Sequence, residues 1–363
     1  MNTTLRIKNI VFFSLILICF SACSQQYTVI SDANFEDYLI SINLDKGVRD
    51  GKVLTANIKD VQVLDVSNKN IADLNGIQDF LALNALNCSG NKLAKLDLKE
   101  NKKLTKLDCS SNDLTKLEIG NNTLFEALRC NHNILTGLNL TQNPALRYLD
   151  CSYNKIADLD LGKNPALILV DCFANQLSHL AIGKNNTLTK LNCSSNNLSS
   201  LDVGENVILN TLSCFQNHLT VLDVSKNAAL TSLSCAQNQL SGLDVNKNLQ
   251  LTTIDCSGNN LTILNVENNK VLTELNCSHN KISYLDLSKN SSLRSSNLSN
   301  NNLTQLNLKN GNNLNFYNIQ TDFQNNPALK CIQVDDGDYS NKNWPQLKDT
   351  TANYSTNCNY AKK

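Results

Sequence analysis

Ten cysteines stand at a single spacing. Cys88, Cys109, Cys130, Cys151, Cys172, Cys193, Cys214, Cys235, Cys256 and Cys277 follow one another at intervals of 21 residues. Three residues after each comes an asparagine, from Asn91 to Asn280, and Asn301 extends that column. Leu104 to Asn112, Leu-Thr-Lys-Leu-Asp-Cys-Ser-Ser-Asn, is one instance of the template. A length of 363 residues would by itself suggest two domains. The period overrides that, because each turn of a repeat array packs only on its neighbours and one long domain suffices.

The unit from Leu104 to Leu124 explains its own composition. Leu104, Leu107 and Cys109 alternate with Thr105, Lys106, Asp108, Ser110 and Ser111, the pattern of a strand with one buried face. Cysteine acts here as a small hydrophobe. Stacked turns lie about 4.8 Å apart, but their Cβ vectors run parallel, which suits disulfide geometry poorly. Ten free thiols are expected, with a soft-metal ladder as the alternative. The asparagines answer a different need. Where the chain leaves the strand, backbone groups turn toward the core, and an amide can both donate and accept. Each is expected to bond its own turn and the next.

The second half of the unit restates the first. Leu114, Leu117, Ile119 and Asn122 repeat the spacing, and a second column runs from Asn101 through Asn122 to Asn290. Both sides of the coil should then be strand-like, with no helices on the outer side, in a flat and weakly curved solenoid. Asn143-Pro144, Asn164-Pro165 and Asn326-Pro327 place proline at the second corner, where no strand hydrogen bond is needed.

The template L-x-x-L-x-C-x-x-N-x-L resembles the leucine-rich repeat family, with cysteine where leucine is usual. The nested second half resembles the 21-residue IRREKO subclass of bacterial leucine-rich repeats. The Asp-Ala-Asn-Phe-Glu start at Asp32 and the cysteine-closed end resemble exported proteins of Bacteroidetes-type bacteria. The fold expected is a β-rich, right-handed solenoid. It has parallel strands on the cysteine side and short strands opposite, between a short helical N-terminal cap and a disulfide-closed C-terminal cap. The resemblance implies a binding or adhesion surface, without naming its ligand.

The chain divides into a signal peptide (1–22), a tether and cap (23–60), about twelve repeats (61–320) and a C-terminal cap (321–363). Arg6 and Lys8 precede an apolar run, Ile10 to Phe20, that is too short to span a bilayer. Phe20-Ser21-Ala22-Cys23 resembles a bacterial lipobox with Cys23 as the lipidated residue. That implies a lipoprotein of the outer membrane or cell surface; the alternative is a plain secreted protein. In the N-terminal cap, Phe35, Leu39 and Ile42 have helical spacing behind Ser31 and Asp32, and Val53 to Ile58 reads as a strand. At the far end, Leu298 and then Ile319 occupy the next cysteine positions, and Ser296 sits where leucine belongs. Cys331 and Cys358 are expected to pair in an exported protein. Trp344, Tyr339 and Tyr354 are expected to cover the last turn.

The 32 basic residues balance the 32 acidic ones, so no basic field invites nucleic acid. Catalysis needs unlike groups converging in a pocket, whereas columns of like groups line this chain. His132 and His279 share a column but lie seven turns apart, roughly 34 Å at strand spacing. The chain is read as a non-catalytic monomer without cofactor or metal. Asp97, Glu118, Asp160, Asp202, Asp223, Asp244 and Asp286 form an acidic column, either a solvated face or a cation ladder. On the cysteine side most outward positions are Ser, Thr, Asn and Asp. Arg129, His132, Tyr148, Tyr153, Leu169, Phe173 and Phe215 depart from that filler, and such residues carry interface energy. They are the candidate ligand surface for a protein, or for a glycan stacked on the rings. A structural scaffold with chance bulky residues is the remaining reading.

Overall fold

The computed structural model describes residues 25–360. Cys23 and the expected signal segment lie outside the described residues. The repeats build one 12-stranded parallel sheet, the ladder sheet, with strands from Val63–Asp65 to Ser295–Asn297. Neighbours pair in the register of the period: Leu107 lies beside Leu128, and Val170 beside Leu191. Each three-residue strand buries its central side chain and, except at the buried Ser295 of the last strand, leaves the flanking two at least partly exposed, as alternation requires. All ten ladder cysteines are free and buried.

The opposite side is strand-like only in part. Lys95–Asp97 pairs with Lys116–Glu118, and Asp158–Asp160 with His179–Ala181. A four-stranded sheet of Tyr284–Asp286, Gln305–Asn307, Cys331–Gln333 and Asn353–Ser355 closes the far end. Between Ala181 and Tyr284 the pairing shrinks to one bridge, Asp244 to Asn265. That side carries no helix through the regular turns.

The first asparagine column ties each turn to the preceding one, not to the next. Asn112 donates to the carbonyls of Cys109 and Ser110 in its own turn and of Cys88 one turn back. Its Oδ1 accepts from Leu93 N, also one turn back, at 3.0 Å. The chain corner therefore has partners for both donors and acceptors at every turn. The second column is simpler. Asn248 donates to Val224 O and Asn227 O, both at 2.9 Å, and its buried Oδ1 has no protein partner.

The N-terminal cap is the helix Ala33–Ser41, with Asp32 as its N-cap. The other oxygen of Asp32 accepts from Ala72 N and Asp73 N and so docks the cap on the first repeat. Phe35 and Leu39 are fully buried, whereas Ile42 is 39% exposed at the helix C-terminus. Val53 to Ile58 is not a single strand: Lys52–Leu54 pairs antiparallel with Tyr27–Val29, and Thr55–Ile58 is helical. Gly76 has φ +102°, and a Cβ there would lie 2.9 Å from the Val29 carbonyl oxygen, so any other residue is strained at this contact between cap and first turn.

The last turn corrects the sequence reading. Ile319 does not take the cysteine position; it is 99% exposed, in the 3-10 turn Asn318–Gln320. The fully buried Phe323 fills the core in its place, 25 residues after Leu298. Asn326 is likewise not at the second corner. It donates to Leu298 O and Phe323 O and accepts from Leu303 N, the bonds of the first column. The extra residues bulge out because the hydrogen bonds of the preceding turn, Leu298 N to Asp322 O among them, select the register. Ser296 does stand in the leucine column, opposite Leu275. Cys331 and Cys358 form the expected disulfide, with Cα atoms 5.8 Å apart. Trp344 is buried against Phe316, Tyr339 and Tyr354 and seals the end of the core.

Candidate functional site

The outward face of the ladder sheet is a set of columns, each holding one side chain per turn. The first strand position holds Val63, Ala85, Lys106, Ala127, Tyr148, Leu169, Lys190 and then Thr211, Ser232, Thr253, Glu274 and Ser295. The third holds Asp65, Asn87, Asp108, Arg129, Asp150, Asp171 and Asn192. Phe173 and Phe215 directly follow the cysteines of their turns. His132 and Tyr153 come one residue later, at the corner, with φ of 53° each. Ser111, Ser195 and Gln216 share this left-handed corner. A large ring there is costly for the backbone and brings the corner itself nothing that serine or glutamine lacks.

The candidate residues separate into two neighbouring groups. Arg129, Tyr148 and Leu169 belong to an open groove of about 610 Å³ along the sheet. Val63, Ala85 and Ala127 supply the rest of its apolar floor, and Asp65, Asp108, Asp150 and Asp171 its acidic flank. His132, Tyr153, Phe173 and Phe215 form an aromatic rail beside it. His132 and Tyr153 stack nearly parallel at 4.3 Å, Tyr153 meets Phe173 edge-on at 5.2 Å, and Phe173 and Phe215 are 6.0 Å apart. Tyr148 and Tyr153 are 46% and 48% exposed, and Arg129 and His132 are exposed too. Leu169, Phe173 and Phe215 are only partly so.

Sequence reading missed the groove's acidic flank. In the third strand column only Asp150 and Asp171 are carboxylates on consecutive rungs, and they pair directly across the ladder. Burial raises the Asp171 pKa above the usual carboxylate value, and the charge of Asp150 raises it further. Asp150 Oδ1 accepts from Ser152 N and Oγ; Asp171 Oδ1 accepts from Phe173 N and Asn192 Nδ2. The available signal was the break in a column that elsewhere separates its charges.

Among the described residues no catalytic constellation gathers. His179 pairs with Asp158 at 3.0 Å on the opposite face, away from His132. The acidic column there forms ordinary surface contacts. Lys116 and Lys99 reach Glu118 at 2.7 and 3.6 Å, and the hydrogen bond from Lys116 lowers the Glu118 pKa. Among the described residues no group of His, Cys, Asp and Glu is arranged to hold a metal ion. The ladder thiols are buried, and burial pushes those of Cys193, Cys235 and Cys277 up to about 12. They are protonated and sealed, unlike reactive cysteines, which are thiolates open to solvent.

This fold and surface define a parallel solenoid with a buried cysteine ladder and one elaborated face. Similarity to solved structures puts it in a family. The functional domain of InlJ from Listeria monocytogenes, described as including a cysteine ladder, is 30% identical with a TM-score of 0.71. The alignment covers 85% of this chain and 76% of that one. A leucine-rich repeat protein of Leptospira interrogans shares the fold at 23% identity and a TM-score of 0.58, covering 77% of this chain and 74% of that one. An internalin from Listeria monocytogenes does so at 21% and 0.55, covering 92% and 97%. No family model and no curated protein sequence matches. The chain belongs to the leucine-rich repeat family.

Proposed function

We propose that this chain is a non-catalytic protein-binding module, held at the cell surface by lipid on Cys23, that takes its partner on the ladder sheet between Val63 and Phe215. The observation that carries this reading is the way the rings are used. Sugars bind to open aromatic faces, but the near-parallel His132–Tyr153 stack turns one face of each ring onto the other. The Phe173 contact engages Tyr153 further, and Arg147 lies 6.0 Å from the Tyr148 ring. The rings stand beside an apolar groove and a mixed-charge rim. Aromatic and arginine anchors beside a groove are the composition of a protein interface.

The test uses the soluble form beginning at Ser24 and a partner captured by cross-linking from the cell envelope or its surroundings. Tyr148, Phe173 and Phe215 are changed together to serine, which the same columns already hold at Ser232, Ser152 and Ser194. The fold should survive, and binding should fall by at least tenfold. Unaltered binding overturns the proposal. The anchor is tested separately, by mass spectrometry of the mature N-terminus; an unmodified Cys23 removes it.

A further inference from the structure

The groove carries information about the chemistry of its occupant. Six charged side chains line it: Asp65, Asp108, Asp150 and Asp171 against Lys106 and Arg129. The acids exceed the bases by two. The excess falls at one place, the Asp150–Asp171 pair on adjacent rungs, whose partners in the first strand column are Tyr148 and Leu169. Like charges directly opposed across a ladder are destabilising. The fold does not require them. The bond made by Asp150 Oδ1 to Ser152 N is made equally well by Asn192 to Ser194 N, Asn276 to Ser278 N and Asn297 to Ser299 N. A neutral residue would hold the same turn without the repulsion. The hydrogen bonds to each carboxylate among the described residues all fall on Oδ1, and the second oxygen takes none of them.

We infer that the partner docks an extended segment in this groove and lays a lysine or arginine across Asp150 and Asp171, its aliphatic stem over Tyr148 and Leu169. The inference rests on the protein-binding reading and names the chemistry of that partner. Apolar floor and paired carboxylates suit the two ends of such a side chain, whose stem is apolar and whose head is charged. An arginine fork could meet both carboxylates at once. Arg129, one rung away, flanks the pair on the N-terminal side and would repel a second cation placed there.

The test uses fluorescein-labelled peptides with blocked ends. One is Gly-Ser-Leu-Lys-Leu-Lys-Leu-Ser-Gly, and the other has glutamate at both lysine positions. Fluorescence anisotropy should show the lysine peptide binding at least tenfold more tightly, and weakening as salt screens the contact. The double variant Asp150→Asn, Asp171→Asn should abolish that preference with the fold intact. Asp255→Asn, a change in the same column outside the groove, should not. Equal binding of both peptides, no binding of the lysine peptide, or retained preference in the double variant overturns the inference. The captured partner separates this from the broader proposal. If the serine triple variant loses it and the asparagine double variant does not, protein binding stands and the cationic segment falls. If neither variant loses it, both fall.

Discussion

The two asparagine columns offer a comparison in which residue type, burial and place in the array are nearly constant. Asn238 and Asn248 lie ten residues apart on opposite corners and are 7% and 0% exposed. Asn238 Nδ2 donates to Cys214 O, Cys235 O and Ala236 O at 3.0 to 3.1 Å, and its Oδ1 accepts from Leu219 N at 2.9 Å. Its two amide hydrogens are shared among three acceptors, so the side chain contributes about three effective bonds, worth about 3 kcal/mol net. Asn238→Ala also strands the Leu219 N–H in the core, which adds about 1–2 kcal/mol. All three acceptors keep another donor, Asn217 Nδ2 at Cys214 O, Asn259 Nδ2 at Cys235 O and Gln216 N at Ala236 O, so the stranded Leu219 N–H is what sets this site apart. Asn248→Ala removes two bonds, and both acceptors keep a backbone donor, Asn227 N for Val224 O and Leu230 N for Asn227 O. The Oδ1 removed with it has no protein partner. A cost of about 1–2 kcal/mol is expected there, against about 3–5 for Asn238→Ala. Urea unfolding followed by circular dichroism measures both, and hydrogen exchange at Leu219 reports the stranded group. If Asn248→Ala proves as damaging as Asn238→Ala, the accounting by individual partners is wrong.

Three further outcomes follow from the same geometry. Cys193, Cys235 and Cys277 hold their protons to about 12, well above an unfolded thiol, so their contribution is intact below about pH 9 and is lost as pH rises toward 12. Each removes about 1.4 kcal/mol per pH unit in that window, so the urea midpoint should drop between pH 8 and 10, less steeply in Cys235→Ala; a flat profile refutes the sign. Phe323→Ala should cost about 3–5 kcal/mol while Ile319→Ala leaves thermal stability unchanged, and the reverse order would restore the register expected from sequence. Replacing Cys331 and Cys358 by alanine should cost about 3–4 kcal/mol, with exchange protection lost first around Trp344 and Tyr354; uniform loss along the array would contradict a local seal.

The period, the buried cysteine and asparagine columns, the cap helix and the terminal disulfide were all legible in the chain. They rest on local rules that repeat at every turn: alternation buries one face, and an amide satisfies the corner wherever the chain bends inward. What the chain could not show were the places where a neighbouring turn has a choice. Ile319 and Phe323 are both apolar and near the cysteine position, and counting by 21 favours the former. Only the carbonyls and amides of the turn at Leu298 select Phe323 and extrude the loop. The opposite face reads as uniformly strand-like, yet pairing there lapses between Ala181 and Tyr284, since a ladder needs register on both rungs at once. The bulky residues on the ladder sheet could be picked out one by one. Their division into a groove and a rail of stacked rings, and the meeting of Asp150 and Asp171 beside Tyr148 and Leu169, arise from residues 21 apart brought within one strand spacing. The sequence by itself determined a repeating coil with a closed end. The packing of one turn on the next decided which departures from the repeat stand together, because contact between turns depends on register and side-chain direction, which period alone does not specify.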